Sequence, residues 1–377
     1  MPHRRIVKNA PIIHIANMIL LFSFALILGC IGSQILPLQS VSPSLFFITH
    51  AILAYIMIEV GLEFVINKKR WKEYLIDYGV ASLAAALPWI LCFAYFVLMG
   101  TNLWQEDLLL ARFAAPTATG ILFSMLGVAG LGATWIFRKI QVLAILDDLD
   151  TILLLIPLQF LLSDGRSDLI LVGLMMIGCL YLGLRYMHKV HLPITRPFLL
   201  LYAFILTSFT LLMKNSFSID IEVLLPAFVF GMMLKKQNHS SHEKKFLEPA
   251  VPFSMLCDRA IKCLFMLLVG LLFPKIPLTL SVLKTLVIDT ACIFVLMNLG
   301  KLTPLFFYKK EATFKERLAV SVGMMPRGEV GAGILTLALS QGIDNPMVQV
   351  AALALALNLI LTGPFVSFIT YLQKGKP

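Results

Sequence analysis

The sequence predicts an all-α integral membrane protein of about twelve transmembrane helices, built from inverted-topology repeats with two broken, crossing helices. Three observations predict it. Apolar spans recur along the whole chain, basic residues alternate between sparse and dense from loop to loop, and Pro/Gly-interrupted spans occupy matching places in the two halves.

Composition sets the class. Of 377 residues, 59% are hydrophobic and 14% charged, against roughly 45–50% and about 25% in a soluble domain. The mean hydropathy is +0.88. Stretches long enough to cross a bilayer, roughly 20 apolar residues each, run over approximately 12–36, 45–66, 78–100, 106–127, 139–162, 167–187, 197–213, 217–234, 255–273, 279–307, 317–340 and 347–372. The loops between them are short. Residues 1–377 are therefore expected to form a single membrane transport domain, with any soluble regulatory domain on a separate polypeptide.

Charge placement supports the count. The net charge of +10 would suggest nucleic acid for a soluble protein, but here it follows the loops. One alternating set of loops and termini carries 22 Lys and Arg, among them Arg4, Lys69, Arg138, Lys139, Lys235, Lys310 and Lys374; the other carries only Arg166, Lys214 and Lys275. The positive-inside rule puts the dense set, and both termini, in the cytoplasm. The six cysteines lie in or beside apolar spans without a C-x-x-C pair, and free thiols are expected. No cofactor is expected.

The repeat shows in short stretches. "YIMIEVGLEFVINKK" (55–69) and "CLFMLLVGLLFPK" (263–275) each run from bulky apolar residues through Val-Gly-Leu to a lysine. Gly-containing spans precede them, "ILGCIGSQIL" (27–36) and "AFVFGMML" (227–234). Two spans after each comes a span with a proline, a polar cluster and Gly-Ile-Leu: "AAPTATGILFSMLGVAGLG" (114–132) and "MMPRGEVGAGILTLALSQG" (324–342). The matching spans run in opposite directions, so the repeats are inverted. Repeat one covers about 12–162, a linker helix about 167–187 and repeat two about 197–372, which leaves repeat one a helix short at its N-terminus.

A proline inside a helix frees a carbonyl, and in lipid that carbonyl must find a partner. Pro116 with Thr117, Thr119 and Gly120 marks one break; Pro326 with Gly328, Gly331 and Gly333 marks the other. Crossing of the two brings half-helix ends together near mid-membrane, where broken helices build ion sites. Arg327 and Glu329 are expected to compensate those dipoles or each other.

"QVLAILDDLDTILLLIP" (141–157) carries Asp147, Asp148 and Asp150 and no basic residue. A carboxylate at the centre of a span costs about 2.5–3.5 kcal/mol, so three cost up to roughly 8–10 kcal/mol before relief, comparable with the stability of a whole domain. Such residues are functional by default. Adjacent buried carboxylates titrate as a pair and hold either a proton or a hard cation, the minimum chemistry of proton/cation exchange. Asp147 and Asp148 point about 100° apart, so one can face a cavity while the other faces a partner. Lys301, inside "IFVLMNLGKLTPLFF" (293–307), is the expected partner. Asp150 is a possible additional acid, lining the cavity or facing an aqueous edge. Thr119 joins Asp148 and Asp147 as a candidate ion- and proton-binding residue. Glu59, one turn before Glu63, reads as structural or dimer-facing.

In their order and placement, "VGLEF" (60–64), "APTATGILFS" (115–124), "AILDD" (144–148), "GK" (300–301) and "PRGEVGAGI" (326–334) resemble the monovalent cation:proton antiporter superfamily, second family, the group of the bacterial sodium/proton antiporters. The resemblance covers most of the chain and implies their fold. It implies that Asp148 matches the main ion- and proton-binding aspartate, the residue that meets the transported monovalent cation, and that Asp147 matches the neighbour paired with the lysine at Lys301. Two adjacent acids with that lysine look like the electrogenic, two-proton type. The resemblance further implies sodium as the cation, a homodimer, an elevator-like core and a bacterial inner membrane. The chain departs from the family at Leu149, Asp150 and Thr151, where relatives usually carry small or apolar residues; the additional acid bears on stoichiometry and ion choice. The alternatives are a potassium/proton antiporter and a sodium-coupled organic solute symporter. An intramembrane aspartyl protease needs acids on two facing helices and a Gly-x-Gly-Asp motif, which the chain lacks.

Overall fold

The structure, a computed structural model, describes residues 21–36, 42–63, 71–99, 103–118, 122–123, 126, 131–132, 134–162, 168–217, 223–235, 252–272, 280–343 and 346–373. These are overwhelmingly helical. In chain order the helices are α1 (Leu21–Ile35), α2 (Ser42–Glu63), α3 (Trp71–Met99), α4 (Trp104–Ala111), α5 (Trp135–Leu162), α6 (Asp168–Arg185), α7 (Arg196–Phe217), α8 (Leu224–Met233), α9 (Pro252–Leu271), α10 (Leu280–Gly300), α11 (Phe314–Gly323), α12 (Glu329–Ser340) and α13 (Pro346–Gln373). Among the described residues, α2, α3, α7, α10 and α13 are each long and apolar enough to cross a membrane.

Two of the expected spans are not continuous helices. The span read at 106–127 is α4, then a 3-10 turn (Arg112–Ala114), then a non-helical segment through Pro116. The span read at 317–340 is α11 and α12, separated by non-helical residues around Pro326. Both breaks fall where the prolines put them. α11 starts with a capping box, Thr313 and Glu316 bonding each other's backbone N–H; this satisfies two of the donors a helix start leaves open.

The chain divides into two compact units. The first comprises 1–37, 72–148 and 241–377 and holds α1, α3, α4, the first half of α5 and α9–α13. The second comprises 38–71 and 149–240 and holds α2, the rest of α5 and α6–α8. Within the second, a parallel bridge between Val190 and Leu234 ties the segment after α6 to the end of α8.

Glycines make the closest helix crossings. In the first unit a Cβ on Gly29 of α1 would strike the backbone of Leu267 and Gly270 of α9, and one on Gly270 would strike Leu26 and Gly29. In the second unit a Cβ on Gly61 of α2 would strike Phe228 of α8, and one on Gly231 would strike Ile58. Small residues let membrane helices approach this closely. The sequence repeat matches α1 with α8 and α2 with α9. Under it, the α1–α9 crossing becomes the α8–α2 crossing, as an inverted repeat requires.

Candidate functional site

The two breaks free carbonyls, and one side chain collects them. Arg327 is fully buried. Its guanidinium donates from Nε to the Ala114 carbonyl at 2.9 Å, from Nη1 to Met324 at 2.9 Å and Met325 at 2.7 Å, and from Nη2 to Met297 at 3.0 Å. Those carbonyls belong to the first break, the second break and the end of α10. Arg327 therefore neutralises the breaks through hydrogen bonds, a use that suits its planar, five-donor fork. Glu329 begins α12 and is 1% exposed. Neither of its carboxylate oxygens has a hydrogen-bond partner among the described residues. Its place is the helix N-terminus, where the dipole favours negative charge.

The broken segments also touch directly. The Ala118 N–H donates to the Pro326 carbonyl at 2.8 Å. A Cβ on Gly331 would lie 2.9 Å from the Phe113 carbonyl oxygen, so glycine in "GEVGAG" is what lets α12 cross the 3-10 turn.

Asp147 and Lys301 meet beside this crossing. Lys301 Nζ is 2.7 Å from Asp147 Oδ2, and both side chains are 0% exposed. The Thr117 hydroxyl lies 2.8 Å from the same oxygen and 3.1 Å from the Met324 carbonyl, so it joins the acid to the second break. Lys301 follows the end of α10, where a Cβ on Gly300 would run into the Pro88 backbone of α3. The "GK" pair is thus a close-packing glycine followed by the cation it places. Asp148 is fully buried and within electrostatic reach of Lys301.

The structure therefore brings Asp147, Lys301, Thr117, Pro326 and Arg327 together, with Asp148 next along α5. Thr117, assigned from sequence to the break, also holds Asp147. Thr119 lies outside the described residues. Asp150 is 6% exposed. In the second unit, Glu59 accepts a hydrogen bond from Tyr55 at 2.8 Å; the Glu63 side chain lies outside the described ones.

Sequence reasoning missed several polar partners. Asn298 and Asn358 bond to each other, and Asn358 to the Arg327 backbone; the available signal was a single asparagine in each of two apolar helices. Arg112 is fully buried and stacks 4.4 Å from the Trp89 ring. Lys139, counted among the loop cations, pairs with Asp77 at 2.9 Å, and Tyr308 donates to the same carboxylate oxygen at 2.7 Å.

The family model described as "Sodium/hydrogen exchanger, transmembrane" matches residues 5–371. The chain belongs to this family. This exchanger is accordingly an integral membrane transporter, not an enzyme, and its activity is cation/proton antiport. Among curated protein sequences, nothing matches it. Among solved structures it is similar to the sodium proton antiporter MjNhaP1 from Methanocaldococcus jannaschii at pH 8, with a TM-score of 0.63 and 16% identity over 95% of this chain and 98% of that one. At that identity the likeness shows the antiporter fold.

Proposed function

We propose that this exchanger moves protons against sodium, electrogenically, with Asp148 as the residue that binds proton and cation in turn. The observation that carries the reading is the buried Asp147–Lys301 pair beside a second buried carboxylate, at the crossing of two broken segments. Lys301 already neutralises Asp147. Asp148, the buried carboxylate beside that pair, is the residue proposed to meet the cargo. The candidate site contains three carboxylates, Asp147, Asp148 and Glu329, and two cations, Lys301 and Arg327. In fully ionised form, one monovalent cation or one proton balances it. A buried pair that forms and releases with the cargo also gives Lys301 a proton of its own to carry, which supports a second proton per cycle.

Alternating access then needs the site to move as a body. Asp147, Asp148, Lys301, Arg327 and Glu329 all belong to the first compact unit, which supports an elevator-like core, in a homodimer. The charge bias supports a bacterial inner-membrane orientation with both termini cytoplasmic.

Purified protein in liposomes with an imposed pH gradient and a pH-sensitive dye tests this. Sodium should collapse the gradient in the wild type and leave it intact in Asp148→Asn, with the variant still folded. A response to potassium alone would make this a potassium/proton antiporter. Normal activity in Asp148→Asn would remove Asp148 from the site.

A further inference from the structure

A polar chain behind the candidate site links two elements that the site depends on. Asn358 is fully buried in the apolar middle of α13. Its Oδ1 accepts the Arg327 backbone N–H at 2.9 Å, and its Nδ2 donates to Asn298 Oδ1 at 3.0 Å. Asn298 Nδ2 donates in turn to the Phe294 carbonyl at 2.8 Å. The polarity of this chain is fixed at both ends. A backbone N–H at one end demands an oxygen from Asn358, which turns its amide NH2 toward Asn298; a carbonyl at the other end takes the Asn298 NH2. A flip of either amide would break the sequence of donors and acceptors.

The ends matter more than the middle. One is the Arg327 peptide in the second break. The other is Asn298, three residues before Lys301, whose backbone N–H donates to the Asn298 carbonyl at 3.1 Å. The same two places are joined again where Arg327 Nη2 meets the Met297 carbonyl. On its other side the end of α10 rests on Pro88 through Gly300.

We propose that Asn358, acting with Asn298, is a positioning residue for exchange: it holds the turn that carries Lys301 in register with the second break, and so sets where the ammonium meets Asp147. The inference rests on reading Asp147, Lys301 and Asp148 as the ion site. It makes cation affinity depend on α13, a helix outside the candidate ligand set.

The test is sodium-driven proton flux in liposomes, read as KM and kcat, for Asn358→Ala, Asn298→Ala, the double variant, Asp148→Asn and a control, Thr362→Ala. Thr362 is equally buried on α13, and its hydroxyl bonds only the Asn358 backbone carbonyl at 3.1 Å among the described contacts. Each asparagine variant should raise the sodium KM by about fivefold or more, with a smaller change in kcat. The double variant should be no worse than the worse single, because the two act as one unit. Thr362→Ala should stay within about twofold of wild type in KM. A wild-type KM in both asparagine variants overturns the proposal, as does an equal rise in Thr362→Ala, which would mean general loosening of α13. If Asn358→Ala does not reach the membrane, Asn298→Ala decides alone, since it leaves the acceptor for Arg327 in place. Loss of flux in Asp148→Asn with wild-type KM in the asparagine variants rejects the relay and keeps the ion site; full flux in Asp148→Asn rejects the site and the relay with it.

Discussion

Lys301 Nζ lies 2.7 Å from Asp147 Oδ2 with both side chains fully buried, joining the end of α10 to the middle of α5. Removing one partner of a buried pair leaves an uncompensated charge and costs about 3–5 kcal/mol. Lys301→Ala should therefore melt at a clearly lower temperature than wild type. In liposomes held at different membrane potentials, its residual exchange should lose voltage dependence. Replacing both partners, Asp147→Asn with Lys301→Ala, should recover most of the lost stability, because no orphan charge remains. Unchanged melting and unchanged voltage dependence in Lys301→Ala would take the pair out of the mechanism.

Arg327→Lys is not conservative here. Four guanidinium N–H groups reach four carbonyls on three segments. A lysine offers three donors from a single point and cannot span them. Each buried carbonyl left without a donor costs about 1–3 kcal/mol. Arg327→Lys should be less stable than wild type by a few kcal/mol, on the order of two such carbonyls, and should exchange slowly. Thermal melting in detergent, alongside liposome flux, checks both. A variant with wild-type melting would show that the breaks are held by something other than this fork.

Much of this was legible in the sequence, for a physical reason. A charge in an apolar span has few tolerable fates, so Asp147, Asp148, Lys301 and Arg327 announced themselves. The prolines at 116 and 326 cannot sit inside a regular helix, so the breaks were placed correctly. The glycine-containing stretches that revealed the repeat are also where α1 meets α9 and α2 meets α8, though nothing in the sequence paired those helices. What the sequence hid was direction. Thr117 sits in a non-helical segment, where no period says which way its hydroxyl turns. Arg327 bonds to carbonyls, which every residue has, so its partners carry no signature. Asp77 sits near a span end, where a carboxylate reads as solvated; its burial under Tyr308 and Lys139 comes from the turn after α10 folding back, a long-range event.

Tyr308 lies beyond the last turn of α10 and donates to Asp77 at 2.7 Å. Burial first, and then the negative charge of Asp77, push its phenol far above the usual tyrosine value. With the folded value raised, the stability from this group is whole below the unfolded value of about 10 and is lost only as pH rises through the folded one. Tyr308 therefore stays neutral across the range where exchangers are assayed. Tyr308→Phe should cost about 1.5–3 kcal/mol, the worth of a hydrogen bond to a charged group. It should leave the pH profile of exchange unmoved between about pH 6 and 9. A displaced profile would mean that the Asp77–Lys139 pair, once released, acts on transport.

Asp150 is the acid that sets this chain apart from the pattern it resembles. On α5 it follows Asp148 by two residues, about 200° round the helix, and Asp147 by three, about 60° away. Asp148 and Asp150 therefore leave the helix on nearly opposite sides. They cannot both close on one small cation from the same helix. Asp150 shares a face of α5 with Asp147, one turn on. Asp150→Leu should accordingly keep the apparent sodium KM within about twofold of wild type. The measurement is sodium-dependent proton flux at several sodium concentrations. A rise in KM of about tenfold would instead place Asp150 among the cation's ligands and require α5 to unwind between Asp148 and Asp150 during the cycle.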